Sequence, residues 1–323
     1  MLISVLAVLL GLVLLTYGAD RFVIGAAGVG RNLGMSPMMV GLTIVAFATS
    51  APEMLVAGVA ALDGATGLAI GNAVGSNITN IALVLGATVV IAPLTVHSQT
   101  IKREFPLMFI AVFLAYGLML DGNLSRLDGI ILLLGVFTLI GVTIYLSKHS
   151  SVFDPVKLEF EEELEEELPA KVALFWLVLG SILLLVGSRA LVSGAVEIAQ
   201  ALGVSDLIIG LTIVAIGTSL PELAASLMSA IKGEQDMALG NIIGSNMFNM
   251  LAVLCMPGLI RPSEVSREVL TRDFPIMLFL SALMFFMSYG FRKAGKITKV
   301  HGVILLSAFV IYQLILFRSG QSL

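Results

Sequence analysis

The sequence predicts an all-α polytopic membrane protein with ten transmembrane helices, arranged as two inverted repeats of five helices. Three observations lead to this prediction. The first is composition, because 58% of the 323 residues are hydrophobic and only 12% are charged, whereas soluble domains carry about 25% charged residues. The second is a set of long windows without charge, and the third is a duplication of most of the chain.

The charge-free windows are long enough for helices that cross a bilayer. Each reaches or approaches the roughly 20 residues that span the hydrocarbon core as a helix, and they cover residues 1–19, 129–147, 172–188, 237–260, 274–291 and 300–317. Only helices or closed barrels span lipid, because every backbone polar group must be bonded within the protein. Apolar runs without alternation exclude the barrel. The first window lacks a basic n-region and a clear cleavage site, so we expect a retained helix.

The chain repeats itself at an offset of 169 residues. GLTIVAFATSAPE (41–53) and GLTIVAIGTSLPE (210–222) are identical at ten of thirteen positions. The same offset aligns GNAVGSNITN with GNIIGSNMFN, and REFP with RDFP. Because fixed-period self-similarity indicates a repeated architecture, we expect two homologous halves, 1–149 and 171–323, joined by an acidic linker at 150–170.

Each half is predicted to contain five helical segments. They lie near 1–30, 37–62, 66–92, 105–120 and 129–147 in the first half, and near 172–200, 206–231, 236–260, 274–291 and 300–317 in the second. Because five is odd, the two halves must enter the membrane from opposite sides. This inverted-topology repeat is found in many secondary transporters.

The loop charges predict the orientation in the cell membrane. If both termini are extracellular or periplasmic, eleven Lys and Arg residues lie in inner loops and five in outer loops, as the positive-inside rule requires. Asp20 and Arg189 are equivalent in the two halves but differ in charge, so we expect a structural ion pair or interface anchor at these positions rather than a transport role.

The linker is strongly acidic, with seven Glu between Lys157 and Lys171. We interpret it as a solvated cytoplasmic segment, because crowded carboxylates repel one another and bind cations weakly without a folded cage. A regulatory cation-binding patch is the alternative.

Two Pro-Glu pairs interrupt the apolar segments at equivalent positions. Pro52 and Pro221 lack an N–H, so the carbonyls of Ala48 and Gly217 lose their helical partners. We therefore expect the helix to loosen at 46–52 and 215–221. Unwound carbonyls at membrane depth must be buried in protein or line a wet cavity, where they become hard oxygen ligands for Na+, Ca2+ or Mg2+.

Glu53 and Glu222 supply the charge of the predicted ion site. An ionised group at the bilayer centre costs about 2.5–3.5 kcal/mol on insertion scales, and a bound cation would remove this penalty and the repulsion between the two groups. Residues three or four positions before each Glu share its helix face and carry hydroxyl oxygens; they are Thr49, Ser50, Thr218 and Ser219.

The GNxxGSN motifs add further candidate ligands. Ser76 and Asn80 are spaced i,i+4, as are Ser245 and Asn249, so each pair lies on one helix face. Gly71, Gly75, Gly240 and Gly244 keep the helix surface small and favour close helix packing. Packing alone is the alternative for this motif. Asn77 and Asn246 lie off the proposed face.

Other chemistries have little support in the sequence. Cys255 is the single cysteine and the three histidines are scattered, which excludes an intramolecular disulfide and a thiolate cluster and disfavours a His-rich metal site. Ser50 and Ser219 have no His or Lys base nearby, and no HExxH motif occurs. We expect no enzyme activity, no cofactor and no nucleic-acid partner, and we expect a monomer in the lipid bilayer.

The paired motifs GTSLPE and ATSAPE, with GNAVGSN and GNIIGSN, resemble the two α-repeats of the cation/calcium exchanger (CaCA) superfamily, and the overall plan resembles its prokaryotic sodium/calcium exchanger branch. The resemblance implies ten helices, with ion sites in the second, third, seventh and eighth. It implies that Glu53 and Glu222 are the central carboxylates for Ca2+ and Na+. It also implies backbone carbonyl ligands at Thr49, Thr218, Ala46 and Ala215, hydroxyl ligands at Ser50, Ser219, Ser76 and Ser245, and an amide ligand at Asn80.

One position departs from several members of the superfamily. Where members that include the potassium-dependent exchangers carry Asp, this chain has Asn249, which favours K+-independent exchange. We therefore expect an electrogenic antiporter that exchanges Na+ for Ca2+ by alternating access, with the long first and sixth segments sliding against the core. The alternatives are H+-coupled exchange of Ca2+ or another divalent cation, and an ion channel.

Overall fold

The computed structural model describes residues 1–148, 168–203, 215–290 and 295–320. Most of the predicted acidic linker and the first part of the predicted seventh segment, 204–214, lie outside the described residues. The longer helices are labelled α1 (Leu2–Asn32), α2 (Pro37–Leu62), α3 (Thr66–Ile91), α4 (Ser98–Met119), α5 (Arg126–Lys148), α6 (Ala170–Ala201), α7 (Leu220–Ile231), α8 (Gln235–Ile260), α9 (Val269–Ser288) and α10 (Lys299–Gly320). A short helical turn, Ala215–Thr218, precedes α7.

The helices confirm the predicted class, an α-helical polytopic membrane protein. Among the described residues, eight helices are long and apolar enough to cross a membrane: α1, α2, α3, α5, α6, α8, α9 and α10. Of the other two, α4 carries three consecutive charged residues, Lys102–Glu104, and α7 has only 12 residues. The number of ten transmembrane helices therefore stays a prediction.

Helix α4 is longer than the sequence predicted. The expected segment was 105–120, whereas the helix has 22 residues and begins at Ser98. The charged stretch, predicted as a loop, forms its first turns. Lys, Arg and Glu are good helix formers, so these turns are permitted by propensity without being required by it. Pro106 lies inside the helix and does not end it.

Two small antiparallel sheets link the halves. Strand β1 (Leu94–Val96) pairs with β4 (Gly295–Ile297), and β2 (Asn123–Leu124) pairs with β3 (Ser263–Glu264). Each sheet therefore joins a loop of the first half to a loop of the second, so that the halves are tied together outside the helices as well as through them.

Helices α3 and α8 form the centre of the molecule. In α8, 89% of the most apolar 18-residue window is buried, and in α3 the share is 72%. Both contain a π-helical turn, Asn80–Leu85 in α3 and Asn249–Val253 in α8. Such turns widen the helix locally and occur frequently at functional sites.

Glycines on α8 bring α2 close to it. A Cβ placed on Gly240 would lie 2.6 Å from the carbonyl oxygen of Met38, and one on Gly244 would lie 2.6 Å from that of Leu42. Real side-chain atoms do not approach this closely, so only glycine allows the contact. For Gly240 and Gly244 the predicted small-residue packing surface is confirmed.

Helices α1 and α6 pack against each other along most of their length in antiparallel directions. Gly11 of α1 faces Leu191, and Gly180 of α6 faces Phe22. A Cβ on Gly11 would lie 2.6 Å from the amide nitrogen of Leu191, and one on Gly180 would lie 2.5 Å from that of Phe22. The pair is a closely packed unit that leaves its other faces exposed, many of them lined by large apolar side chains.

We predict that Gly180→Val destabilises the folded protein by about 1–3 kcal/mol, because the added atoms collide with the backbone of α1. The measurement is thermal unfolding of the purified protein in detergent. Gly141→Val is the matched control, since a Cβ at Gly141 meets no atom within 4 Å. Equal melting temperatures for the two variants would contradict the packing described here.

Candidate ion-binding site

The two glutamates of the Pro-Glu pairs are both buried and lie close together. Glu53 is in α2 and Glu222 is in the first turn of α7. Their exposed fractions are 1% and 2%, and their carboxylates are near enough to repel each other electrostatically. Two acidic groups from distant parts of the chain therefore share one buried site.

The two prolines act differently on their helices. At Pro221 the expectation is confirmed in part: residues 215–218 are helical, the helix is interrupted at Ser219, and a new helix, α7, begins at Leu220. At Pro52 the expectation is wrong, because the α-helical part Ala46–Leu62 continues through the proline. One missing hydrogen bond does not unwind a well-packed helix. The irregularity lies one turn earlier, as a π-helical turn at Gly41–Val45.

Many polar atoms around the glutamates have no hydrogen-bond partner among the described residues. They include both carboxylate oxygens of Glu53 and of Glu222. The others are the hydroxyl oxygens of Ser50 and Ser219 and the amide groups of Asn80 and Asn249. Buried polar groups in proteins are nearly always bonded, so this concentration of unpaired oxygens has the character of a cation site.

The π-helical turns that begin at the two asparagines pack against the helices that carry the glutamates. Asn80 and Asn249 each begin such a turn and are almost completely buried. The turn of α3 packs against α7, which carries Glu222, and the turn of α8 packs against α2, which carries Glu53. Each glutamate-bearing helix is thus in contact with the amide-bearing turn of the other half.

Of the remaining predicted ligands, two are buried and one is partly buried. Ser76 and Ala46 are buried, and the Ala46 carbonyl accepts a weak hydrogen bond of 3.4 Å from the Thr49 hydroxyl. Thr218 is partly buried and makes an interaction of its own. Ala215 begins the short turn before Ser219.

Asn77 takes a different role from Asn80. Its side-chain Nδ2 donates to the backbone oxygen of Asn246 at 3.1 Å and so joins α3 to α8. The side chain of Asn246 is buried and has no hydrogen-bond partner among the described residues, so the placement of Asn77 and Asn246 off the face of the site residues stays a prediction.

The sequence analysis missed Asn241, which connects several predicted ligands. Its Oδ1 accepts from the hydroxyl of Thr49 at 3.2 Å and from that of Ser245 at 3.4 Å. Its Nδ2 donates to the hydroxyl of Ser226 at 2.8 Å and more weakly to the backbone oxygen of Glu222 at 3.4 Å. Asn241 has no exposed surface, so it acts as a fixed junction between the two halves.

One signal in the sequence could have identified this residue. The first Asn of GNxxGSN recurs at equivalent positions, Asn72 and Asn241. The two differ in their neighbours, because Ser226 has Ala57 as its repeat equivalent. Asn72 therefore lacks the serine hydroxyl that accepts a hydrogen bond from Asn241. The Nδ2 of Asn72 has no hydrogen-bond partner among the described residues.

The donor set fits hard cations. Carboxylate, hydroxyl, amide and carbonyl oxygens are the ligands of Ca2+, which takes six to eight of them. Within the part of the chain that the structure describes, no group of three or more His, Cys, Asp or Glu could hold a metal. The charge of the site therefore comes from two carboxylates, and the other donors are neutral.

The α1/α6 pair covers the site on one side. Phe22 of α1 and Leu184 of α6 face Thr49 and Pro221 across a crevice that is too narrow for a water molecule. In this conformation the site is closed towards these two helices.

Comparison with known proteins matches the chain to the family described as sodium/calcium exchanger protein, over residues 3–145 and 172–318. The CaxA protein of Alkalimonas amylolytica is 50% identical over 319 residues, covering 99% of this chain and 100% of CaxA. The sodium/calcium exchanger MaX1 of Methanosarcina acetivorans is 31% identical over 351 residues, covering 98% of this chain and 99% of MaX1. A solved structure of the sodium-calcium exchanger NCX_Mj with 10 mM Na+ and 10 mM Sr2+ has a TM-score of 0.81 and 34% identity, covering 96% of this chain and 97% of NCX_Mj.

We predict that Asn241→Ala weakens Ca2+ binding by roughly 5- to 150-fold, because losing the partner of buried hydrogen-bonding groups costs about 1–3 kcal/mol. Calorimetric titration of the purified protein with Ca2+ measures the change. The mirror variant Asn72→Ala is the control and should change the affinity less than about twofold, since its amide lacks the serine partner. Equal losses in both variants would show that Asn241 has no special role.

Proposed function

The chain belongs to the sodium/calcium exchanger family, and on that premise we propose that it drives Ca2+ across the cell membrane in exchange for Na+, by alternating access. The family makes it a membrane cation/calcium antiporter. The choice of Na+ as the coupling ion and the residues that carry the exchange are the proposal.

The observation that supports this mechanism most directly is the buried pair Glu53 and Glu222. Two ionised carboxylates in a dry site are destabilised by the loss of water and by mutual repulsion. One Ca2+ balances both charges. The same oxygens can hold several Na+ instead, but not together with Ca2+. Because occupancy by one ion excludes the other, the two flows are coupled.

The proposed ligands surround these two carboxylates. Glu53 and Glu222 supply the charge, and neutral oxygens complete the coordination of Ca2+ and Na+. We assign the neutral oxygens to Thr49, Thr218, Ser50, Ser219, Ser76, Ser245, Asn80, Asn249, Ala46 and Ala215. The unpaired oxygens of Ser50, Ser219, Asn80 and Asn249 support this assignment.

The amide at Asn249 bears on K+ and on charge balance. With two carboxylates rather than three, the site lacks the additional negative charge that would favour a further cation, which supports K+-independent exchange. If more than two Na+ exchange for each Ca2+, net positive charge moves with Na+. The membrane potential then contributes about 2.3 kcal/mol per charge per 100 mV.

Alternating access would arise from sliding of the α1/α6 pair against the core. The dense packing of α1 on α6 supports movement as one body, and the closed crevice beside Thr49 supports a covering role. We propose that the monomer has ten transmembrane segments in two inverted halves with both termini outside. The common offset of 169 between α3 and α8 at their first residues, Thr66 and Gln235, supports the repeat.

The same carboxylate pair also favours one alternative, H+-coupled exchange, because two facing carboxylates can each load a proton. Ca2+ uptake into vesicles under a Na+ gradient and under a pH gradient separates the two mechanisms. A channel would conduct Ca2+ without any counter-ion.

We predict that purified protein reconstituted into lipid vesicles takes up Ca2+ when the vesicles contain Na+ and the outside medium does not. A K+ gradient or a pH gradient alone should not drive Ca2+ uptake. Glu53→Gln and Glu222→Gln should each lower uptake at least about 100-fold, since each removes half of the charge that binds Ca2+. Glu264→Gln, at an exposed glutamate in β3, is the control and should transport normally. Uptake that depends on pH and not on Na+ would establish the H+-coupled alternative, and uptake without any gradient of a second cation would indicate a channel.

We also predict that an inside-positive potential accelerates Na+-dependent Ca2+ uptake. Three Na+ leaving for one Ca2+ entering would carry one net positive charge outwards, and an inside-positive potential favours that movement. The measurement is the initial rate of uptake at clamped potentials. An unchanged rate between zero and 100 mV would exclude electrogenic exchange.

A further inference from the structure

An ion pair fastens α1 to the core on one side of the site. The Nζ of Lys232 lies 2.7 Å from Oδ1 of Asp20. Asp20 is in α1, and Lys232 directly follows the last residue of α7. Both side chains are about one-third exposed. A second, longer contact of 3.4 Å joins Arg31 of α1 to Glu234 of the same core turn.

The equivalent positions of the repeat also carry charged residues, but with the signs of the two charges exchanged. At the offset of 169, Asp20 corresponds to Arg189 of α6, and Lys232 corresponds to Asp63. Asp63 directly follows the last residue of α2, just as Lys232 follows α7. The adjacent glycines, Gly64 and Gly233, also match, with φ values of +83° and +84°.

The equivalent pair is not formed in this structure. Asp63 and Arg189 are both exposed, and among the described residues neither takes part in an ion pair. The packing shows the same difference. Helix α1 contacts α7 extensively, whereas the equivalent contact of α6 with α2 is limited to a few positions. The α1/α6 pair therefore sits against the α7 side of the core.

We propose that these two charge pairs are alternating latches of the transport cycle, an inference that rests on the alternating-access motion proposed above. Asp20–Lys232 holds the conformation seen here. When the α1/α6 pair moves to the opposite position, Asp20–Lys232 opens and Arg189–Asp63 closes. In an inverted repeat the two end states are related by an approximate two-fold axis, so a contact made in one state has its equivalent in the other.

The exchanged charges give the arrangement specificity. Each α1/α6 residue attracts its own partner on the core, while the crossed combinations, Asp20 with Asp63 and Arg189 with Lys232, repel. Because partly exposed ion pairs are weak, each latch biases the equilibrium between the two states without locking it. A carrier that must cycle requires such a modest bias.

The test measures how the two faces of the membrane respond when each latch is removed. Asp20→Asn should shift the population away from the conformation seen here, and Arg189→Gln should shift it towards this conformation. In vesicles of known orientation, the ratio of half-saturating Ca2+ concentrations at the two faces should change about two- to fivefold, in opposite directions for the two variants. The double variant should return close to the parent ratio.

The controls separate the latch from other causes. Arg267→Gln removes an exposed positive charge and should leave the ratio unchanged. Changes in the same direction for Asp20→Asn and Arg189→Gln, or no change in either, would overturn the latch.

Disulfide cross-linking in a Cys255→Ser background tests the two contacts directly. Asp20→Cys with Lys232→Cys should form one disulfide, and Asp63→Cys with Arg189→Cys should form another. In a protein that carries all four cysteines, formation of the first disulfide should prevent formation of the second. Failure of the Na+ gradient to drive uptake in the parent protein would contradict the proposed function but leave this comparison intact, since Ca2+ saturation at the two faces does not depend on which ion is exchanged.

Discussion

The burial of Glu53 beside Glu222 is the interaction on which the rest of the structure depends. Two carboxylates with exposed fractions of 1% and 2% repel each other in a medium that cannot solvate them. The neighbouring helices carry buried oxygens without formal charge, including those of Asn80 and Asn249. These oxygens do not neutralise the two carboxylates, so the negative charge can be balanced only by a cation that enters the site. A mobile cation is a natural partner for such a site, because it can both stabilise the pair and leave again. In the proposed mechanism, the exchange follows from this instability rather than from any single ligand.

In the proposed mechanism, the core holds this site rigid on one side and the α1/α6 pair moves on the other. Gly240 and Gly244 let α2 approach α8 so closely that a Cβ would collide with its backbone, and Asn241 then joins Thr49 to Ser245 across the same contact. These contacts belong to the core. The α1/α6 pair is held together equally densely by its own glycines, and it meets the core through a buried apolar cluster that includes Phe22 and Val45, a narrow crevice and two ion pairs. In the proposed sliding motion, the two helices would move across this apolar contact as one body.

The differences between the two halves are as informative as their likeness. Pro221 coincides with a break at Ser219, while α2 continues through Pro52. Asn241 has Ser226 as an acceptor, while the equivalent position for Asn72 is an alanine. Two nearly equal sequences thus adopt different local structures in one conformation. If the halves form the proposed inverted repeat, such differences are expected of one end state of the transport cycle.

The sequence by itself determined the membrane class, the duplication, the limits of most helices to within a few residues, and the two glutamates as the charged centre. Hydropathy, repeats and helical periodicity are properties of neighbouring residues, and they need no knowledge of how distant segments pack. Only the tertiary structure decided the start of α4 at Ser98, the unbroken helix at Pro52, the junction at Asn241 and the pairing of Asp20 with Lys232. Each of these depends on which helix packs against the residue in question. A charged turn or a proline remains helical where the packing of neighbouring helices stabilises it. A hydrogen bond or an ion pair forms only when its two members meet in space, and in most of these cases they are more than a hundred residues apart in the chain.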